Sequence, residues 1–392
     1  MVICPKIRVG LLPRIVLAII LGVVFGQVFS LPWVKVFTTF NAIFSQFLGF
    51  MIPLIIIGLV APAIADIGKA AGRLLLMTVA IAYLDTILSG LLAYGTGSWL
   101  FPAMVEGASH VVKVEEAVTI APYFSIQIPP IVDVMSGLVL AFMMGLTMAY
   151  GNLTTLKGVF REFRQAITMV ISKVIIPLLP LYIFGIFLQM TYTGQAYRIM
   201  LVFIQIICVI FVLHLFILLY QFCIAGGIVK RNPLKLLLNM LPAYLTALGT
   251  SSSAATIPVT LRQSIKNGVS EEIAGFTVPL CATIHMSGSA MKITACALTI
   301  CLMEGIPHGF TVFMGFILML GIVMVAAPGV PGGAIMAALA PLSSILGFGS
   351  EEQALMIALY IAMDSFGTAC NVTGDGAIAL VVDQFTQMKK RK

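Results

Sequence analysis

The sequence predicts an all-α, polytopic membrane protein, and three observations carry that reading. First, 60% of its 392 residues are hydrophobic and 9% are charged, with a mean hydropathy of +1.10. A soluble domain keeps about a quarter of its residues charged, so lipid rather than water must solvate most of this surface. Second, six apolar runs reach the roughly 20 residues that a helix needs to cross the hydrocarbon core: about 11–30, 36–64, 73–101, 129–150, 163–191 and 198–226. Third, the apolar runs beyond Lys230 are repeatedly broken by Ser, Gly, Pro and Asn.

The first run is basic and apolar like a secretory leader. It lacks a small-residue cleavage site and further spans follow it, so it is expected to be the first helix. Basic residues then cluster at every second connection: Lys6, Arg8 and Arg14; Lys69 and Arg73; Lys157, Arg161 and Arg164; Lys230, Arg231 and Lys235; and Lys389–Lys392. The connections between them, near Trp33, Val105–Glu116 and Tyr192–Arg198, are poorer in Lys and Arg. Such alternation is the positive-inside pattern and places both termini in the cytoplasm. The net charge of +7 is thereby explained by headgroup anchors, and no nucleic-acid partner is expected. Six of the seven cysteines (Cys208, Cys223, Cys281, Cys296, Cys301 and Cys370) lie inside apolar segments. They show no CxxC or Cys/His spacing, so neither a disulfide framework nor a zinc site is expected.

The second half carries four breaks: Gly249–Pro258, Thr283–Ser289, Ala326–Gly333 and Gly367–Asp375. Irregular backbone at membrane depth is tolerated only where protein buries it or where it lines a cavity. The arms around the first and third breaks are too short to span, so these read as re-entrant hairpins. The second and fourth sit inside long segments and read as locally unwound spans. A hairpin followed by an interrupted helix, occurring twice, suggests paired repeats around a midplane site. The expected division is a scaffold over 1–230, to whose third span the core owes some contribution, a transport core over about 231–386, and a basic cytoplasmic tail over 387–392.

In the last span, Asp364, Thr368, Asn371 and Asp375 are spaced 4, 3 and 4 apart, on one stripe of a helix. A carboxylate at the centre of a membrane helix costs at least about 2.5 kcal/mol on insertion scales, so function is the default reading. An aspartyl protease does not fit: Asp364 and Asp375 would stand roughly 16 Å apart along the helix, too far to share a proton. A hydrolase built on Ser252 or Ser253 with Lys292 lacks a nucleophile-elbow motif. A channel would need a repeated carbonyl filter. Two separate carboxylates suit a zwitterion plus a cation. His214, in an apolar run, is expected to be a packed core residue, and the Met143-Met144 stretch to face lipid or pack.

Three motifs then carry a resemblance: Ser-Ser-Ser-Ala-Ala-Thr-Ile-Pro-Val-Thr at 251–260, Gly-Val-Pro-Gly-Gly-Ala at 329–334 and Asn-Val-Thr-Gly-Asp at 371–375. Together they resemble the signatures of the dicarboxylate/amino acid:cation symporter family, which contains glutamate and neutral amino acid transporters. The resemblance covers nearly the whole chain. It implies eight transmembrane helices with two re-entrant helical hairpins, inverted repeats, a homotrimer in the cell inner membrane, and elevator-type movement of the core against the scaffold. It implies that Asp364 holds the substrate amino group and that Ser253, Thr368 and Asn371 make other substrate contacts, with Ser252, Ser289, Val330 and Gly367 completing the lining. It also implies one sodium site from Asn371 and Asp375 with backbone around Cys281 and His285, and a second from Thr283, Met286 and Ala327.

Four departures shape the functional expectation. Where acidic-substrate members carry an arginine three residues after the amino-binding aspartate, this chain has Gly367. The usual Asn-Met-Asp-Gly-Thr reads His285-Met-Ser-Gly-Ser289, which makes His285 either a proton carrier or a replacement for the motif's amide. Lys292 follows in the same span. Asp85-Thr86 aligns with a Thr-Ser pair on the third span. The expected activity is therefore uptake of a small neutral amino acid such as serine, threonine or alanine, coupled to Na+, or to H+ instead or in addition. Acidic amino acids or dicarboxylates are the alternative cargo, and no enzymatic activity is expected. Asp85 and Lys292 are expected to form a buried pair in place of a third sodium ion.

Overall fold

A computed structural model describes residues 11–67, 73–111, 120–151, 153–194, 196–325, 327 and 332–390. Among them every regular element is helical. The first half comprises α1 (Leu11–Val28), α2 (Leu31–Ile67), α3 (Arg73–Val111), α4 (Val134–Tyr150), α5 (Thr154–Val170), α6 (Ile176–Tyr192) and α7 (Ala196–Val229). A π-helical turn, Ile171–Ile175, joins α5 to α6. It lies just before Pro177, whose missing N–H breaks the regular hydrogen-bond ladder.

Short helices begin at Lys230. They are α8 (Pro233–Asn239), α9 (Leu241–Thr250) and α10 (Ser253–Lys266). The rest of the chain forms α11 (Glu271–Ile284), α12 (Ser287–Glu304), α13 (Phe310–Met324), α14 (Gly333–Ser344), α15 (Ser350–Ala362) and α16 (Asp364–Lys390). Six spans are long and apolar enough to cross a membrane, and a seventh is obtained if α15 and α16, bent by 63°, count as one. The 17-residue α4 is apolar but shorter. The chain is thus a multi-pass membrane protein.

Burial separates lipid-facing helices from interior ones. Only 22% of α1's apolar window is covered, against 89% for α11 and α12. Exposed Leu17 and Ile20 on α1, Trp99 on α3 and Val212 on α7 are the side chains that lipid solvates. Every residue of α12 from Ser287 to Cys301 is buried, including Lys292 and Thr294. α12 packs against α3, and α16 packs against α7, α9, α10, α11 and α12. Most polar side chains of α12 and α16 are therefore enclosed by protein.

Three of the four expected breaks fall on helix ends. α9 and α10 meet at Ser251, which adopts a left-handed conformation (φ 50°). The Ser252 side chain caps α10 by accepting from Ala255 N at 3.3 Å. α11 ends at His285 and α12 begins at Ser287. The third break lies between α13 and α14, but residues 326 and 328–331 at its tip, Val330 among them, lie outside the described residues.

The fourth expectation is corrected. Gly367–Asp375 is continuous helix, and the chain breaks earlier, at Met363 (φ −115°, ψ 11°). The glycines of this segment serve close approach instead of unwinding. A Cβ at Gly367 would meet Lys292, one at Gly374 would meet Gln221 and His285, and one at Gly376 would meet Met240, each at 2.7–2.8 Å.

Candidate functional site

The break between α11 and α12 organises the site. Starting a helix leaves N–H groups without intrahelical partners, and α12 has no side-chain cap of its own. Asn371 of α16 supplies one from outside. Its Oδ1 accepts from Gly288 N at 2.8 Å and from Ser289 N at 3.3 Å. Its Nδ2 donates to Ser289 Oγ at 3.1 Å, and Ser289 Oγ in turn lies 3.1 Å from Tyr360 OH. Asn371 and Ser289, both expected in the binding site, are thus brought together. In this arrangement, however, the Asn371 amide is committed to the helix start. His214 is buried as expected and reaches Gly288 O at 3.4 Å.

On one side of the break, His285 bridges two carboxylates. Its Nε2 lies 2.8 Å from Asp85 Oδ2 on α3, and its Nδ1 lies 2.9 Å from Asp375 Oδ1 on α16. A neutral imidazole donates from one nitrogen only, so the doubly protonated ring is the form that satisfies both carboxylates. Asp85 also accepts from Tyr220 OH at 2.7 Å and Gln221 Nε2 at 2.6 Å. Gln221 reaches Ser287 Oγ as well, at 3.1 Å. Asp375 Oδ2 and Gln221 Oε1 are buried with no hydrogen-bond partner among the described residues. Buried, unpaired oxygens are the type of ligand that hard cations take.

On the other side, Asp364 opens α16. Its Oδ2 accepts from Gly332 N, just before α14, at 2.9 Å. Its Oδ1 lies 3.5 Å from the ammonium of Lys292, a fully buried side chain on α12. Lys292 also donates to Met363 O at 3.2 Å and stands 3.5 Å from the centre of the Tyr360 ring. The lysine stem crosses the bare face of Gly367, where a Cβ would sit 2.7 Å from Nζ and 2.9 Å from Cε.

Lys292 fills the space that glycine at 367 leaves beside Asp364. One expectation changes here: the Asp85–Lys292 pair is not the arrangement found. Each residue faces a nearer opposite charge, His285 for Asp85 and Asp364 for Lys292. Of the two, Lys292 is fully buried and Asp85 only partly, and partner choice depends on how α3, α12 and α16 cross.

The turn between α9 and α10 reaches the same place. Ser251 Oγ lies 2.7 Å from Ser365 Oγ, one residue beyond Asp364. Ser252 and Ser253 stand at this tip, at the start of α10. Thr368 turns its hydroxyl to Asp364 O at 3.0 Å within its own helix. Of the remaining expected cation ligands, the Cys281 carbonyl accepts from His285 N at 2.8 Å, and Met286 N donates to Thr86 Oγ1 at 3.4 Å. Thr283 is exposed and bonds back to Leu280 O at 2.7 Å. Ala327 is buried beside the tip residues that lie outside the described set. Tyr220, Gln221 and Tyr360 escaped the sequence reading. Gln221, a buried amide in a membrane span, carried a usable signal; a tyrosine in an apolar run carries none.

Residues 11–385 match the model of the sodium:dicarboxylate symporter family. A serine/threonine transporter, SstT, of Acinetobacter baumannii is 27% identical over 408 aligned positions, covering 96% of this chain and 97% of that protein. Excitatory amino acid transporter 3 of Mus musculus is 33% identical over 161 positions, 41% of this chain and 31% of the transporter. Excitatory amino acid transporter 5 of Homo sapiens is 32% identical over 179 positions, 45% of this chain and 31% of the transporter.

Proposed function

The chain belongs to the sodium:dicarboxylate symporter family, and from that membership we propose that it couples Na+ entry to uptake of a small neutral amino acid, serine or threonine foremost. It is a membrane symporter and not an enzyme. The observation that carries the cargo reading is Asp364: a buried carboxylate at a helix start, reached by Gly332 of one hairpin and flanked by the Ser251–Ser365 contact of the other. A cargo ammonium held there would be enclosed by both hairpins. Relatives aligned along the full length are named as serine/threonine transporters, which supports the same cargo.

Sodium is assigned to the other end of the stripe, near Asp375, whose Oδ2 is buried and unpaired among the described residues. Asn371, His285 and Cys281 would contribute there, several through backbone oxygens. A second ion is assigned near Thr283, Met286 and Ala327. His285, already bridging Asp85 and Asp375, supports a proton accompanying or replacing a sodium ion. The architecture proposed with this function has eight spans and two re-entrant hairpins in inverted repeats. A core of about 231–386 moves elevator-fashion against a scaffold of 1–230, as a homotrimer in the inner membrane with both termini cytoplasmic.

The decisive experiment is uptake into proteoliposomes across a panel of amino acids and dicarboxylates, with and without sodium and pH gradients. Gradient-driven accumulation of serine, threonine or alanine is expected. Saturable high-affinity uptake of aspartate or glutamate instead would overturn the cargo assignment, and mere equilibration would indicate a channel.

A further inference from the structure

We propose that Lys292 is the residue that binds the cargo's carboxylate, supplying from α12 a cation that Gly367 cannot supply from α16. The inference deepens the cargo reading and rests on its assignment of Asp364 to the cargo ammonium.

The argument starts from how poorly the ammonium is served. Lys292 is fully buried in a membrane-spanning chain, where an ionised side chain is retained for function by default. Charge-assisted N–H···O bonds run about 2.7–2.9 Å. The nearest carboxylate oxygen stands 3.5 Å away, and the carbonyl of Met363 stands 3.2 Å away. The remaining direction faces the π-cloud of Tyr360. Three strong donors are therefore matched to loose acceptors, and an arriving anion would improve on every one of them.

The position is also built for this side chain. Gly367 is helical and has no need of a left-handed backbone, yet any Cβ there would collide with Lys292 Nζ, Cε and Cδ. Glycine at 367 and lysine at 292 are thus a fitted pair. Two other polar groups nearby are already engaged. The Asn371 amide is taken by the start of α12 and by Ser289, and His285 is held between Asp85 and Asp375.

Charge balance then favours a zwitterion. Asp364 and Lys292 neutralise each other across the loose contact. A cargo carrying one ammonium and one carboxylate can part them and replace each lost partner, leaving no buried charge uncompensated. An amine without a carboxylate, or a carboxylate without an amine, would strand one of the two. Lys292 is consequently a selector for amino acids over amines and simple acids.

The test is uptake by the full-length protein in sodium-loaded-gradient proteoliposomes, using labelled serine with serinol, lactate, aspartate and succinate as competitors. Lys292→Met should raise the apparent KM for serine at least tenfold while uptake remains sodium-dependent, and should erase the preference for serine over serinol. Lys292→Arg should keep that preference better than Lys292→Met. The telling variant is Lys292→Ala combined with Gly367→Arg, which moves the cation to α16. It should regain much of the serine affinity that Lys292→Ala loses, which a purely structural lysine does not predict. If Lys292→Met is not recovered folded, the Arg variant and the relocated cation decide the matter. An unchanged KM and serinol preference in Lys292→Met, or no regain on relocation, would overturn the proposal. Wild-type protein that accumulates aspartate but no neutral amino acid would sink the cargo reading alone, and the same variants would then be read against aspartate; accumulation of succinate would overturn the zwitterion selection as well. Failure of every carboxylate to compete would reject both.

Discussion

Lys292 and Gly367 occupy one space: a methyl group at Gly367 would sit 2.7 Å from the lysine nitrogen and 2.9 Å from its Cε. Overpacking of a tight core costs about 1–3 kcal/mol. Gly367→Ala is therefore expected to lower the thermal unfolding midpoint. Shortening the neighbour in Gly367→Ala/Lys292→Ala should return part of the loss. Equal midpoints for Gly367→Ala and wild type would show that the lysine moves aside without cost.

Asp364 and Lys292 should be energetically coupled, whereas Asp85 and Lys292 should not. Removing one member of a buried ion pair costs about 3–5 kcal/mol, while removing both can be nearly neutral. Asp364→Asn and Lys292→Met are each expected to destabilise, and the double variant to recover stability without recovering transport. In a double-mutant cycle the coupling should fall at about 0.5–3 kcal/mol. Asp85→Asn with Lys292→Met should instead be close to additive, since the two residues have different partners. The reverse pattern, measured by denaturation in detergent, would contradict the pairing described here.

His285→Asn should make stability depend on sodium. The variant removes the bridge that His285 makes to Asp85 and Asp375, at 2.8 and 2.9 Å, and leaves a part-buried and a buried carboxylate without their shared cation. A cation that enters between them would stabilise the fold by mass action, about 2.7 kcal/mol at a hundredfold excess over its Kd. The unfolding midpoint should therefore fall in choline buffer and rise on adding NaCl, by more than wild type does. The same salt response in both proteins would place sodium elsewhere.

Asn371 should be needed for the start of α12. Asn371→Ala strands the N–H groups of Gly288 and Ser289, and an unsatisfied buried donor costs about 1–3 kcal/mol. Asn371→Asp keeps both acceptor bonds and should unfold nearer to wild type. Hydrogen exchange at the Gly288 and Ser289 amides should accelerate in the alanine variant alone.

Much of this protein was legible along the chain. Apolar runs of sufficient length mark the spans because lipid imposes that length wherever it is the solvent. The Ser251–Ser253 and His285–Ser287 breaks were visible because capping and helix-poor residues interrupt otherwise apolar sequence. The stripe of Asp364, Thr368, Asn371 and Asp375 followed from helical spacing alone.

Partner choice was decided only in three dimensions. Asp85 lies 200 residues from His285, and spacing along a chain says nothing of which carboxylate a buried cation meets. Lys292 could extend toward either of two aspartates, and the crossing of α12 against α16 brought it to Asp364. The same crossing explains the misplaced fourth break. Glycines at 367, 374 and 376 read as helix weakeners in sequence, but in the fold they let Lys292, Gln221, His285 and Met240 approach the backbone. Their cost in helix propensity, about 1 kcal/mol each, is offset by contacts that a Cβ would forbid, so the helix persists and the chain bends at Met363 instead.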